Sequence, residues 1–194
     1  MNQNLSVSIE GAAERAGVPA WLRTAGVVVL GTVFLAVCAH VAIPLWFTPV
    51  PLTLQPLGVL VLGLLLRPGL ATGTMLAYLA EGALGLPVFA PSAAALSGLA
   101  HLLGPTGGYL LAYPAAALAI ALGARRAGRS FALRMTVAAV GDLMILAGGA
   151  LWLAATTHTM FTTAFTLAVV PFLPGDALKV AVAAAAGGLR YLRR

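Results

Sequence analysis

Leu22-Arg-Thr-Ala-Gly-Val-Val-Val-Leu-Gly-Thr-Val-Phe-Leu-Ala-Val-Cys-Ala-His-Val-Ala-Ile43 decides the class of fold. After Arg23 no Asp, Glu, Lys or Arg appears until Arg67. A helix over this run is long enough to cross a bilayer, which takes about 20 apolar residues. The rest of the chain has the same character. Of its 194 residues, 61% are hydrophobic and 8% charged, with a mean hydropathy of +1.00. A soluble domain carries roughly 25% charged residues. Too little charge is present to cover a water-facing surface, so the chain reads as an all-α integral membrane protein.

Residues 1–20 form a polar N-terminal tail without the charged, apolar and cleavage regions of a signal peptide. The run from Leu22 onward therefore reads as a retained first span, and residues 21–194 as a single transmembrane domain. Cys38 is the one cysteine and excludes an internal disulfide.

Breaks in the apolar pattern give six transmembrane helices. The first covers 22–43 and ends before Pro44, Pro49 and Pro51. The second covers 52–66 and stops at Arg67-Pro68-Gly69; the third, 70–84, stops at Gly85-Leu-Pro87. Both are short and must lean on protein neighbours or thin the bilayer. After a loop containing Pro91, Ser92 and His101 come the fourth span at 109–124 and the fifth at 131–155. Residues 156–173 form a long connection with a short helix packed on the outer side, or a seventh membrane segment. The sixth span covers 176–191.

Charge orients this arrangement. Arg15 and Arg23 precede span one, Arg67 separates two from three, Arg125, Arg126, Arg129 and Arg134 lie between four and five, and Arg190, Arg193 and Arg194 follow six. All ten arginines fall on one side, which the positive-inside rule makes cytoplasmic, with both termini inside. The net charge of +6 is thereby explained without nucleic acid. Trp46, Gln55, Glu81, His101, His158, Asp176 and Lys179 lie near the opposite ends of the spans.

Ionisable groups near membrane depth are functional candidates. Pro171-Phe-Leu-Pro-Gly-Asp-Ala-Leu-Lys179 holds the only lysine and one of five acidic residues. Pro174 and Gly175 can close one segment and open the last helix. Asp176 then sits in its first turn, where a carboxylate suits the helix dipole, and Lys179 shares its face at i+3. An ordinary cap with a snorkelling lysine fits the same residues. Tyr78 and Glu81, also at i+3, can stack a flat ligand and accept its N–H bonds, or stand as an interfacial tyrosine beside an exposed carboxylate. Trp46 and Phe47 fit an aromatic lid or the aromatic belt, while Thr53 and Gln55 offer neutral donors and acceptors. Asp142 lies roughly 16 Å along the fifth span. It fits support of a polar pocket or, as the expectation, a hydrogen bond between helices. Thr32, Ala36 and His40 make a small-residue stripe on span one suited to close helix contact, within the chain or with another subunit. Gly69 and Gly73 form a further GxxxG pair.

No phosphate-cradling G-x-x-x-x-G-K-[ST], no H-E-x-x-H, no G-x-S-x-G and no cysteine cluster occurs. These absences point away from an ATP motor, a resident metal and the familiar hydrolase motifs. Neither a catalytic residue nor a cofactor is expected.

Five stretches appear in order: Ala42-Ile-Pro-Leu45, Pro49-Val-Pro-Leu-Thr-Leu-Gln55, Gly82-Ala-Leu-Gly-Leu-Pro-Val-Phe89, Leu103-Gly-Pro-Thr-Gly-Gly-Tyr-Leu110 and the stretch from Pro171 to Lys179. Together they resemble BioY, the family of biotin-binding membrane (S) subunits of energy-coupling-factor (ECF) transporters, over about residues 30–189. The resemblance implies six transmembrane helices in the cell membrane of a prokaryote, with a vitamin pocket near the outer surface under the loop after helix one. It also implies a transmembrane coupling subunit and cytoplasmic ATPases as partners, with biotin as transported ligand. The candidate substrate-binding set is Asp176, Lys179, Glu81, Tyr78, Gln55, Thr53, Trp46, Phe47 and Tyr109, and the candidate partner contact is Thr32 with Ala36. Asp176 or Glu81 can accept from the ureido N–H groups of biotin, and Lys179 can serve its ureido oxygen or its carboxylate. An S subunit for another small vitamin and a membrane enzyme using His101 or His158 are the competing readings.

Overall fold

A computed structural model of the chain describes residues 19–91 and 96–189. The N-terminal tail as far as residue 18, Ser92, Arg190, Arg193 and Arg194 lie outside them.

The described chain is helical apart from one small ribbon. Helix α1 spans Ala20–His40. The chain then forms strand β1, Ala42–Ile43, which pairs antiparallel with β2, Leu52–Thr53, through Ala42 opposite Thr53 and Ile43 opposite Leu52. The expected first span ran through this strand. The helix ends earlier because Pro44 disfavours helical geometry in the residue before it, and the ribbon supplies the backbone partners. Helix α2, Gln55–Leu65, opens on Pro56, and α3, Pro68–Ala83, opens on its own proline; a missing N–H costs nothing in a first turn. A short helix α4, Gly98–Leu102, occupies part of what read as a loop. Helices α5, Gly107–Ala127, and α6, Phe131–Thr157, follow. Helix α7, Phe161–Ala168, is the expected short helix of the long connection, and α8 spans Leu173–Gly188.

Among the described residues three helices, α1, α5 and α6, are long and apolar enough to cross a membrane. The α7–α8 pair, bent by 55°, makes a fourth if counted as one broken span. Helix α2, at 11 residues, is apolar but shorter. It sits centrally, packed against α1, α3, α5, α6 and α8, so its length is compensated by protein neighbours.

Glycine sets the approach of the most extensively packed pair, α5 and α6. A Cβ on Gly108 would lie 2.2 Å from Trp152 Cβ and 2.3 Å from the Gly148 carbonyl oxygen. Association in lipid rests on such close packing, because lipid tails are as apolar as the side chains. Gly69 and Gly73 have nothing within 4 Å of a Cβ, so this pair packs no helices together among the described residues.

The two ends of the bundle differ. At one end Arg134, buried at the start of α6, donates from Nε to the Ala184 carbonyl (2.9 Å) and from Nη1 to that of Gly128 (3.2 Å). It ties α6 to the end of α8 and to the α5–α6 turn. Arg67, Arg125 and Arg126 belong to the same ends of their helices. The opposite ends of α2, α5 and α8 converge on a cavity.

Candidate functional site

The bend before α8 places Asp176 in that helix's first turn and Lys179 one turn further. Both are buried, 3% and 6% exposed, and Lys179 Nζ donates to Asp176 Oδ1 at 2.7 Å. A cap with a snorkelling lysine would leave the ammonium in solvent; here the ammonium points inward and is paired. Removing two charges from water costs several kcal/mol each, only partly returned by their attraction, so such a pair is weak evidence for stability and better evidence for a site.

The pair borders a cavity with about 530 Å³ of space free of atoms, counted to its open mouth. Its walls follow helical periodicity. Thr106, Tyr109, Leu110 and Tyr113 face it from α5 and its cap, and Asp142, Ile145 and Leu146 from α6. Thr53, Gln55 and Pro56 close it from β2 and α2. Asp142, Asp176 and Lys179, with the neutral polar groups of Thr53, Gln55 and Thr106, interrupt a wall that is otherwise largely aliphatic and aromatic, which suits a small molecule with both polar and apolar parts.

Asp176, Lys179, Tyr109, Gln55 and Thr53 are thus brought together around one cavity. The Tyr109 hydroxyl donates to the Ala168 carbonyl at 2.5 Å, and its ring meets Phe172 edge-on at 6.4 Å. Tyr109 therefore presents its ring to the cavity, with its hydroxyl engaged on α7. Gly149 makes room for it, since a Cβ there would stand 2.1 Å from the ring.

The other candidates sit elsewhere. Tyr78 is fully buried behind Gln55; its hydroxyl accepts from Gln55 Nε2 (2.7 Å) and donates to the Val88 carbonyl (2.6 Å). Glu81 lines a separate groove between α1 and α3 with Thr32, Ala36 and His40. Trp46 and Phe47, stacked edge-on at 5.4 Å in the β1–β2 connection, are exposed, Trp46 by 96%.

Three titratable residues of the cavity wall lay outside the candidate set. Asp142 was expected to bond between helices; instead it lines the cavity, and its Oδ1 is buried without a hydrogen-bond partner. Its signal was a lone carboxylate inside an apolar helix. His101, from α4, is buried with Nδ1 3.2 Å from the Leu96 carbonyl. Tyr113 had no signal beyond its place one turn after Tyr109. His158 stands apart, exposed at the end of α6 with φ 52°, a left-handed helix cap. Among the described residues no group of three His, Cys, Asp or Glu could hold a metal ion.

The BioY family pattern matches residues 4–193. This chain belongs to the BioY family. Among its relatives is the probable biotin transporter BioY of Pyrococcus horikoshii, 42% identical over 135 residues, or 70% of this chain and 76% of that one. The biotin transporter BioY of Thermotoga maritima is 36% identical over 79% of this chain and 86% of its own. The crystal structure of the S-component for biotin from an ECF-type ABC transporter superposes with a TM-score of 0.78 at 27% identity, covering 87% of this chain and 91% of that one. Membership of a family named for transport, with several apolar helices, makes this chain a multi-pass membrane transport protein and not an enzyme.

Proposed function

We propose that this BioY-family chain is the biotin-binding S subunit of an ECF-type transporter in a prokaryotic cell membrane. Residues 21–194 form one domain of six transmembrane segments, α1, α2, α3, α5, α6 and α8, behind a polar tail, with both termini cytoplasmic. The cavity opens toward the outside. The observation that carries this reading is the buried Asp176–Lys179 pair on the wall of a cavity that is otherwise largely apolar. Biotin has the matching parts: a flat ureido ring with two N–H donors and a strong acceptor, an apolar thioether ring and an anionic tail. Asp176 accepts from the ureido ring. Lys179 has three N–H donors, one of them on Asp176, and offers another to a ligand oxygen. Tyr109 packs the apolar body, Thr53 and Gln55 supply neutral bonds, and Trp46 with Phe47 close over the mouth. Tyr78 acts through Gln55, and Glu81 stands further off, in the groove of Thr32 and Ala36.

The chain has no nucleotide motif, so accumulation against a gradient draws on cytoplasmic ATPases through a transmembrane coupling subunit. The face of α1 that carries Ala36, with Thr32 buried beside it, forms the contact for that subunit. Binding of biotin to the purified chain, with related vitamins as competitors, tests the reading. Tight retention of unchanged biotin supports it. Preference for another vitamin reassigns the substrate, and release of a chemically altered product makes the chain an enzyme.

A further inference from the structure

Asp142 is 5% exposed, lines the cavity and carries a buried Oδ1 with no hydrogen-bond partner. Buried polar atoms in folded proteins are nearly always paired, and each exception needs a reason. Its neighbours on the same helix face, Ile145 and Leu146, are aliphatic and offer nothing. The ammonium of Lys179 is engaged with Asp176. The cavity wall thus holds two carboxylates and one ammonium, and the ammonium serves Asp176 while Asp142 Oδ1 stays buried without a partner.

We propose that Asp142 is a ligand-binding residue whose Oδ1 accepts a hydrogen bond from an N–H of the bound molecule. Asp142 and Asp176 then form two acceptors on neighbouring helices, with the Lys179 ammonium as donor beside Asp176. A carbonyl flanked by N–H groups, the edge of a cyclic urea, matches that pattern: the carbonyl oxygen takes a Lys179 N–H and the ring N–H groups reach the carboxylates. The inference rests on the biotin reading above and adds a specificity-determining residue to it. A molecule of similar shape without the N–H leaves Asp142 orphaned, which penalises it more than loss of a methylene would.

The test compares biotin with an analogue methylated on the ureido nitrogens, using wild type, Asp142→Asn and Asp142→Leu in detergent. In wild type the analogue should bind about tenfold to a hundredfold more weakly, the range for a charge-assisted hydrogen bond. In Asp142→Leu biotin itself should weaken by about that factor, and methylation should cost clearly less than in wild type. Asp142→Asn, which keeps one acceptor oxygen, should fall between. Ligand-free Asp142→Leu should melt at or above the wild-type temperature, because an unpaired polar group has been removed, while its stabilisation by biotin shrinks. Wild-type affinity for biotin in Asp142→Leu, or the full methylation penalty persisting there, overturns the role of Asp142 and leaves the biotin reading intact. Failure of wild type to bind biotin overturns both.

Discussion

The amide of Gln55 donates to the hydroxyl of Tyr78 at 2.7 Å, and that hydroxyl donates onward to the Val88 carbonyl at 2.6 Å. The start of α2 is thereby held by α3 and by the segment that follows it. Gln55 lines the cavity and Tyr78 does not, so the tyrosine sets where the amide points. Tyr78→Phe removes both bonds and leaves buried groups unpaired, at about 1–3 kcal/mol. The expected outcome is a lower melting temperature together with a modest loss of biotin affinity, read by thermal unfolding and calorimetry. Gln55→Leu should reduce affinity more than stability.

Asp176 and Lys179 are each other's partner in a buried place. Asp176→Asn and Lys179→Ala should each weaken biotin binding by about tenfold to a hundredfold. Breaking one side of a buried pair costs roughly 3–5 kcal/mol, so both variants should also melt earlier. The double variant Asp176→Leu, Lys179→Met should recover much of the melting temperature and none of the binding. A biotin analogue amidated at the carboxylate assigns the lysine. If Lys179 holds the carboxylate, amidation costs little further in Lys179→Ala; if it serves the ureido ring, the two losses add.

The α5–α6 approach predicts unequal glycines. Gly108→Ala puts a methyl against backbone and Trp152, and should destabilise by about 1–3 kcal/mol. Gly73→Ala meets nothing within 4 Å and should be neutral or stabilise by roughly 0.5–1 kcal/mol through helix propensity. Thermal unfolding of the two variants in one detergent gives the comparison.

Orientation is testable by labelling. In a Cys38→Ser background, Arg126→Cys should resist an impermeant thiol reagent on intact cells, and Ser97→Cys should react. The reverse pattern rejects the proposed topology.

The groove between α1 and α3 carries the partner prediction. Ala36 is half-buried on its wall, and Thr32 turns its hydroxyl inward to the Val29 carbonyl at 3.1 Å. Ala36→Trp should block assembly with a coupling subunit, read by co-purification, while biotin affinity stays at the wild-type level. Lost binding with retained assembly means that the stripe packs inside this chain.

Much of this protein was legible without coordinates. Composition alone placed it in a membrane, since 8% charged residues cannot solvate a surface. Proline and glycine marked most helix ends within a few residues, because their backbone limits act locally. The separation of arginines from the remaining polar groups is also a property of order along the chain; among the described residues Arg67, Arg125, Arg126 and Arg134 stand at helix ends away from the cavity. The shared face of Asp176 and Lys179 followed from i+3 spacing on one helix, while their pairing inside a cavity came from the tertiary structure. What spacing could not decide was which way each helix faces once packed. Tyr78 and Glu81 have the same i+3 spacing, yet one is a buried strut and the other borders an outer groove, because α3 is turned by its contacts with α1, α2 and α5. Asp142 had the same apolar neighbours under either reading, and only the position of α6 between α5 and α8 aims it into the cavity. Local backbone chemistry writes the elements into the sequence. Their rotation about their own axes is fixed by long-range packing, in which glycines such as Gly108 and Gly149 count through the neighbours they admit.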